Sequence, residues 1–158
     1  MKLRCKLVEA AAVAAAAMTI AMATSAQSAE RLPDDIAKYK YVGSLVVTDK
    51  KRPRFGFHHF FLNRKGLRAF RQHGPYPPGT IFVNKVYAIE FLRGQINEGD
   101  LQAISIMRKD PAARKTGGWR FAVFAPDGKP IRIDAKKACF ECHRKARATD
   151  YIFSRRLN

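Results

Sequence analysis

Near the C-terminal end, Cys139-Phe140-Glu141-Cys142-His143 packs two thiols and an imidazole into five consecutive residues. No other stretch restricts the fold as tightly. Residues three apart on a helix lie one turn from each other, so both thiols face the same neighbour. The C-x-x-C-H spacing is the c-type haem attachment pattern, in which each thiol bonds one vinyl group and the histidine follows beneath the iron. The prediction is a haem c held by Cys139 and Cys142, with His143 as the iron ligand.

Three other uses of a close thiol pair compete with that reading. A disulfide across so short a loop stabilises little. A thioredoxin-like redox pair would follow a βαβ pattern, and none leads into Cys139. Zinc would need further ligands, and the remaining histidines are His58, His59 and His73.

The compartment follows from the other end of the chain. Lys2, Arg4 and Lys6 precede an apolar run from Leu7 to Ala23, broken early by Glu9. Thr24-Ser25-Ala26-Gln27-Ser28-Ala29 then supplies small residues. A positive start, an apolar middle and a small-residue exit describe a secretory signal. Residues 1–29 are therefore expected to be removed, with cleavage near 26–29, leaving residues 30–158 as a single domain in the periplasm. An uncleaved anchor would need every alanine of the run to count fully towards a span. A lipid on Cys5 is disfavoured because Cys5 precedes the apolar run. Cys139 and Cys142 are then the cysteines of the mature chain.

Charge bears on partners. The chain carries a net +17, and residues 1–29 hold three basic side chains and one acidic, leaving +15 beyond them. In the cytoplasm such a balance would suggest nucleic acid; outside it, no nucleic acid is expected and the partners are acidic redox proteins or a membrane surface. No later stretch approaches the length of a transmembrane helix, so no stable membrane span is expected after cleavage.

The body of the chain reads mostly as strands. Tyr41–Thr48 is β-type, and Lys50–Arg54 is a basic turn. In the aromatic stretch that follows, Phe55, Phe57, His59 and Phe61 share one face and His58, Phe60 and Leu62 the other. Asn63 is placed to cap a short helix ending near Gly74, with Leu67 and Phe70 on its buried side. Gly74–Gly79 is a loop, Thr80–Ile89 a strand, Arg93–Gly99 a polar turn and Leu101–Met107 a strand. Lys109–Gly118 is a loop, Trp119–Ala125 a strand, and Pro126-Asp127-Gly128 returns Pro130–Ile133 antiparallel. Asp134 then caps the helix that carries Lys136 through His143. The fold class is α+β: an antiparallel sheet with a few short helices and the haem-attachment helix near the C-terminus. Small electron-transfer cytochromes are usually helical with the motif near the N-terminus, so their fold is not expected here.

Pro78-Gly79-Thr80 before a strand, Gly118-Trp119-Arg120 opening another, Cys139–His143, and Asp150-Tyr151-Ile152-Phe153 occur in that order. On these four pieces the chain resembles the cytochrome P-460 family, which includes the c′-beta cytochromes, from about Tyr41 to Phe153. The resemblance implies a β-rich haem domain, often a homodimer, with His143 as proximal ligand and an open distal face. Family members bind nitric oxide or oxidise hydroxylamine and related nitrogen species. Those with the oxidising activity carry a lysine cross-linked to the haem from the strand after the Gly-Thr motif.

Two adjacent positions compete for that lysine. Lys85 shares a strand face with Ile81, Val83, Tyr87 and Ile89, where a lysine either snorkels to water or meets a reactive partner. Asn84 lies on the opposite face, and if it holds the family position the cross-link is absent. Met107 is a candidate sixth ligand, although Leu101 and Ala103 on its face favour a core role. His59, or His58 beside it, is a candidate for distal proton handling. Phe60 and Phe61 are candidates to wall a dry distal pocket suited to a neutral diatomic. The expectation is an exported haem protein that oxidises hydroxylamine or a related small nitrogen compound. The alternative is a nitric oxide-binding or electron-transfer cytochrome without turnover.

Overall fold

The computed structural model describes residues 30–51 and 54–153. The signal segment expected over residues 1–29 lies outside them.

Six strands form one antiparallel sheet in sequence order: β1 (Lys40–Val47), β2 (Gly56–Leu62), β3 (Ile81–Leu92), β4 (Gln95–Lys109), β5 (Trp119–Phe124) and β6 (Pro130–Ile131). Every strand pairs with its neighbour in the chain, so hairpin-type connections suffice. A short helix, α1 (Leu67–Arg71), crosses between β2 and β3 after a 3₁₀ turn at Arg64–Gly66. A 3₁₀ turn at Ile36–Lys38 follows Pro33. Residues 136–149 form one helical segment of three parts: a π-helical turn at Lys136–Phe140, an α-turn at Glu141–His143, and a 3₁₀ stretch at Arg144–Thr149. Among the described residues, no helix is long and apolar enough to cross a membrane.

The expected α+β architecture is present, and two local differences have clear causes. Arg93 and Gly94 both adopt positive φ, 51° and 77°, and Leu92 pairs with Gln95. Two left-handed residues match the twist of the flanking strands in a two-residue hairpin. The polar stretch Arg93–Gly99 is therefore mostly strand, because that tight turn lets β3 and β4 run on together. Asn63 does not cap its helix. Its amide donates to Gly79 O at 2.9 Å and accepts from Ile81 N at 3.1 Å, tying the end of β2 to the start of β3.

The pleat divides the apolar residues between two faces. One face carries Ile81, Val83, Ile104, Ile106 and Phe124, covered by Tyr39 and the lead-in residues Leu32 and Ile36. That lead-in is tied down by Glu30, which accepts from Arg108 Nε at 2.9 Å. On the opposite face Leu62, Phe82, Met107, Trp119 and Phe121 pack with Ala69, Tyr76, Cys139 and Ile152. The C-terminal helical segment lies on this second face, held there by apolar burial.

Candidate functional site

Asp134 starts the segment that carries the thiols. Its Oδ1 accepts from Lys136 N at 3.1 Å and Lys137 N at 3.2 Å, the N-cap expected there. The π turn that follows places Cys139 inward, 4% exposed in the second core, while Cys142 is exposed. Both thiols are free. Burial pushes the Cys139 thiol up, and the Arg54 charge opposes that.

His143 lies one residue further, half-buried, with Phe121 and Phe153 rings at 5.4 and 5.2 Å. Its Nδ1–H donates to Tyr151 O at 2.7 Å. A carbonyl can only accept, so the proton belongs on Nδ1 and the Nε2 lone pair is left to bind a metal. A backbone carbonyl on the other ring nitrogen is the usual device for orienting a histidine ligand. Burial, ahead of the Tyr151 bond that opposes it, lowers the imidazole pKa and favours the neutral ligand form.

The Tyr151 carbonyl is aimed by an uncommon backbone. Asp150 and Tyr151 both have positive φ, 52° and 67°, a conformation that disfavours most side chains. Asp150 is clamped from three directions. Its Oδ2 accepts from Tyr76 N at 2.9 Å, its Oδ1 accepts from Lys109 Nζ at 2.6 Å, and its carbonyl accepts from Trp119 Nε1 at 3.0 Å. Lys109 Nζ also lies 4.8 Å from the Trp119 ring centre. Gly117 leaves room for Tyr151, since a Cβ there would fall 2.5 Å from its ring. The Gly-Trp and Asp-Tyr pieces of the sequence thus act together as the support of His143.

The sheet supplies the rest of the site. Pairing places His58 beside Val86, Phe60 beside Asn84 and Leu62 beside Phe82 on β2 and β3. Across β4 and β5, Asn84 adjoins Ser105 and Phe82 adjoins Met107, while Ser105 adjoins Val123 and Met107 adjoins Phe121. These residues share the face that Cys139 covers. At the Phe82 end that face is closed core; Phe60, Val86, Ser105 and Val123 beyond it are only half-buried. Arg54 joins the two parts, because its charge acts on both Cys139 and His143 and its carbonyl accepts from His58 Nε2 at 2.7 Å.

The candidate residues separate by strand parity. Phe60 is on the Cys139 face and Phe61 is not: Phe61 packs with the first core, under Lys85 Nζ at 5.4 Å. Lys85 therefore lies on the face away from the thiols, and Asn84 on the face toward them. His59 goes with Lys85, pairs with it across the strands, and contacts Glu98. The histidine on the thiol side is His58, 2% exposed, whose ring bonds the Asn84 amide. Met107 is a core residue between Phe82 and Phe121. His73 sits in the loop before Gly74. Sequence reasoning missed Asp150, Lys109 and Trp119 as supports of His143. Asp150 was visible only as part of the Asp150-Tyr151-Ile152-Phe153 string, and no spacing rule joins residues so far apart.

The donor set fits haem. Two free thiols stand one turn apart, the adjacent imidazole has its Nε2 uncommitted among the described residues, and Phe121 and Phe153 lie beside it, with Phe140 against Phe121. Among the described residues, no group of three or more His, Cys, Asp or Glu side chains is placed to hold a bare metal ion. The family model described as Cytochrome P460 matches residues 33–154, most of the chain. No curated protein matches it.

Proposed function

This chain belongs to the cytochrome P460 family, a family of haem proteins, and from that premise we propose that it is an exported haem c protein that binds a small nitrogen-containing ligand such as nitric oxide. Cys139 and Cys142 hold the haem by thioethers, and His143 Nε2 is the proximal iron ligand. When bound, the haem supplies a redox-active iron with a coordination position for a guest. The chain contributes orientation, through Tyr151 O on His143, and exclusion of water, through Phe60, Val86 and Val123 on the half-buried strip.

The parity of β3 carries the choice between the two modes of action. A lysine bonded to the haem from this strand would have to share the face of Cys139. Asn84 occupies that face and Lys85 the other, which supports ligand binding with an unmodified macrocycle. Hydroxylamine oxidation is the second reading, favoured by one feature: the His58–Asn84 pair sets an imidazole and an amide beside the half-buried strip.

The +15 balance beyond residue 29 supports an acidic redox partner. Phe91, Leu92 and Ile96, each about half exposed or more at the far end of the β3–β4 hairpin, support a homodimer. The leader over residues 1–29 supports the periplasm.

The test uses the full chain made in a host able to attach haem covalently. Mass spectrometry of the haem peptide should show two thioether links and no third. Nitric oxide titration should change the absorption spectrum, and hydroxylamine with an artificial oxidant should turn over no faster than free haem. A colourless protein would overturn the assignment. A third covalent link or sustained turnover would establish the oxidase instead.

A further inference from the structure

Asn84 is 7% exposed on the central strand β3, with Phe60 beside it on β2 and Ser105 beside it on β4. Its amide is held by His58, with Asn84 Nδ2 at 3.1 Å and Oδ1 at 3.3 Å from His58 Nδ1. Only one of those contacts is a hydrogen bond, and the other end of the ring decides which. His58 Nε2 is 2.7 Å from Arg54 O, a group that only accepts, so Nε2 carries the proton. In the neutral ring Nδ1 is then a lone pair, and Asn84 Nδ2–H donates to it. One amide hydrogen and the amide oxygen remain without a further partner among the described residues.

A buried amide with unused hydrogen-bonding capacity is costly unless something meets it. Here the open capacity adjoins the half-buried strip of Phe60, Val86, Ser105 and Val123, on the face that carries Cys139. We infer that Asn84 is the hydrogen-bonding contact for the small nitrogen- or oxygen-containing guest, and that His58 is the positioning residue that fixes its amide. The chain Arg54 O, His58 ring, Asn84 amide is a rigid relay: it sets which way the free N–H points before any guest arrives. Such preorganisation favours polar guests over an apolar one of the same size. The inference rests on the haem assignment above and goes beyond it.

The experiment uses the haem-loaded full chain, with carbon monoxide and nitric oxide as probes. A donor aimed at bound carbon monoxide weakens the C–O bond, so removing it raises the C–O stretching frequency. Asn84→Leu should move the infrared band to higher frequency and speed nitric oxide release about fivefold, the worth of one neutral hydrogen bond. His58→Phe keeps the amide and frees it, so its band should broaden and fall between the two. If Asn84→Leu does not fold, Asn84→Thr replaces it, because the shorter hydroxyl cannot span to His58 and must also move the band. A haem-loaded, folded variant at Asn84 with the wild-type band and release rate overturns the inference. An unchanged sharp band in His58→Phe removes the positioning role. A wild-type protein without haem absorbance fails the underlying assignment instead, and does so before any variant is compared.

Discussion

Replacing Asp150 by alanine tests whether a remote carboxylate holds His143 in place. Three changes follow from the structure. Lys109 Nζ, 2.6 Å from Asp150 Oδ1, loses its counter-ion, with both side chains only 14% exposed. Tyr76 N loses its acceptor at 2.9 Å. Alanine must also adopt φ near 52°, where aspartate is better tolerated. Breaking a largely buried pair from one side costs roughly 3–5 kcal/mol, and the left-handed backbone adds about 1 kcal/mol. The expected loss is therefore about 4 kcal/mol or more, which lowers Tm by roughly 12 °C in a domain of this size. Asp150→Asn keeps an acceptor and tolerates the backbone, so it should lose about half as much. Thermal unfolding followed by circular dichroism measures both, with Asp127→Ala as a control, since Asp127 is a turn residue paired with Lys129, which is largely exposed. In the haem-loaded protein, Asp150→Ala should also lower the iron–imidazole stretching frequency, because the Tyr151 carbonyl no longer sits on His143 Nδ1. If Asp150→Ala melts with the Asp127→Ala control, the clamp is not what stabilises this loop. If it melts early with an unchanged iron–imidazole frequency, the carbonyl is held by something else.

The other expectations are simpler. Cys139→Ala and Cys142→Ala should each leave a haem peptide with one thioether, and the double variant none, read by mass and by haem staining after denaturation; retained covalent haem in the double variant would exclude these thiols as the attachment. Tyr76→Phe should stabilise by about 1 kcal/mol, because the buried Tyr76 hydroxyl has no partner among the described residues. Burial, ahead of the Asp150 charge, raises the Tyr76 phenol well above its usual value, and burial with Asp35 pushes Tyr39 up to about 12. The unfolded phenols ionise near 10 while the folded ones stay neutral, so stability falls as pH rises above about 10; Tyr76→Phe should flatten that fall in denaturant titrations across the range. Lys85→Gln should leave the haem-peptide mass and the absorption spectrum unchanged; a mass loss would place Lys85 at the haem after all.

The strands were legible because alternation is a local property. Phe57, His59 and Phe61 against His58, Phe60 and Leu62 could be separated from the sequence, and so could Lys85 from Asn84. Which of the two faces meets the thiols could not. That depends on Cys139 packing against the Leu62, Phe82 and Phe121 side, a contact between distant segments that periodicity does not encode. The Asp134 cap was legible because capping acts over three residues. Asn63 offers the same signal but spends its amide on Gly79 and Ile81, brought near only by the fold. The Arg93-Gly94 turn was missed because an arginine is an unusual first residue where φ is positive. The support of His143 was illegible for a similar reason: Tyr76, Lys109, Trp119 and Asp150 come from four separate segments.

The placement of Asn84 on the Cys139 face is hard to reverse, because β3 is paired on both sides. Phe60 faces Asn84 from β2 and Ser105 faces it from β4, in uninterrupted ladders from Phe82 to Val86. The irregularities of the β3–β4 pairing begin only after Val86. A one-residue slip that brought Lys85 to the thiol side would turn every neighbour with it. Phe82 would leave the cluster of Trp119, Tyr76 and Cys139, and Val83, now fully buried in the other core, would take its place. Two aromatic contacts of Phe82, at 5.2 Å to Tyr76 and 6.1 Å to Trp119, would be lost together with the ladder. No single lysine–haem bond is needed to hold the present register, and the sheet resists the register that such a bond would require. The middle of this sheet therefore presents to the Cys139 side an amide held by a histidine, which supports the proposed hydrogen bonding over amine attack.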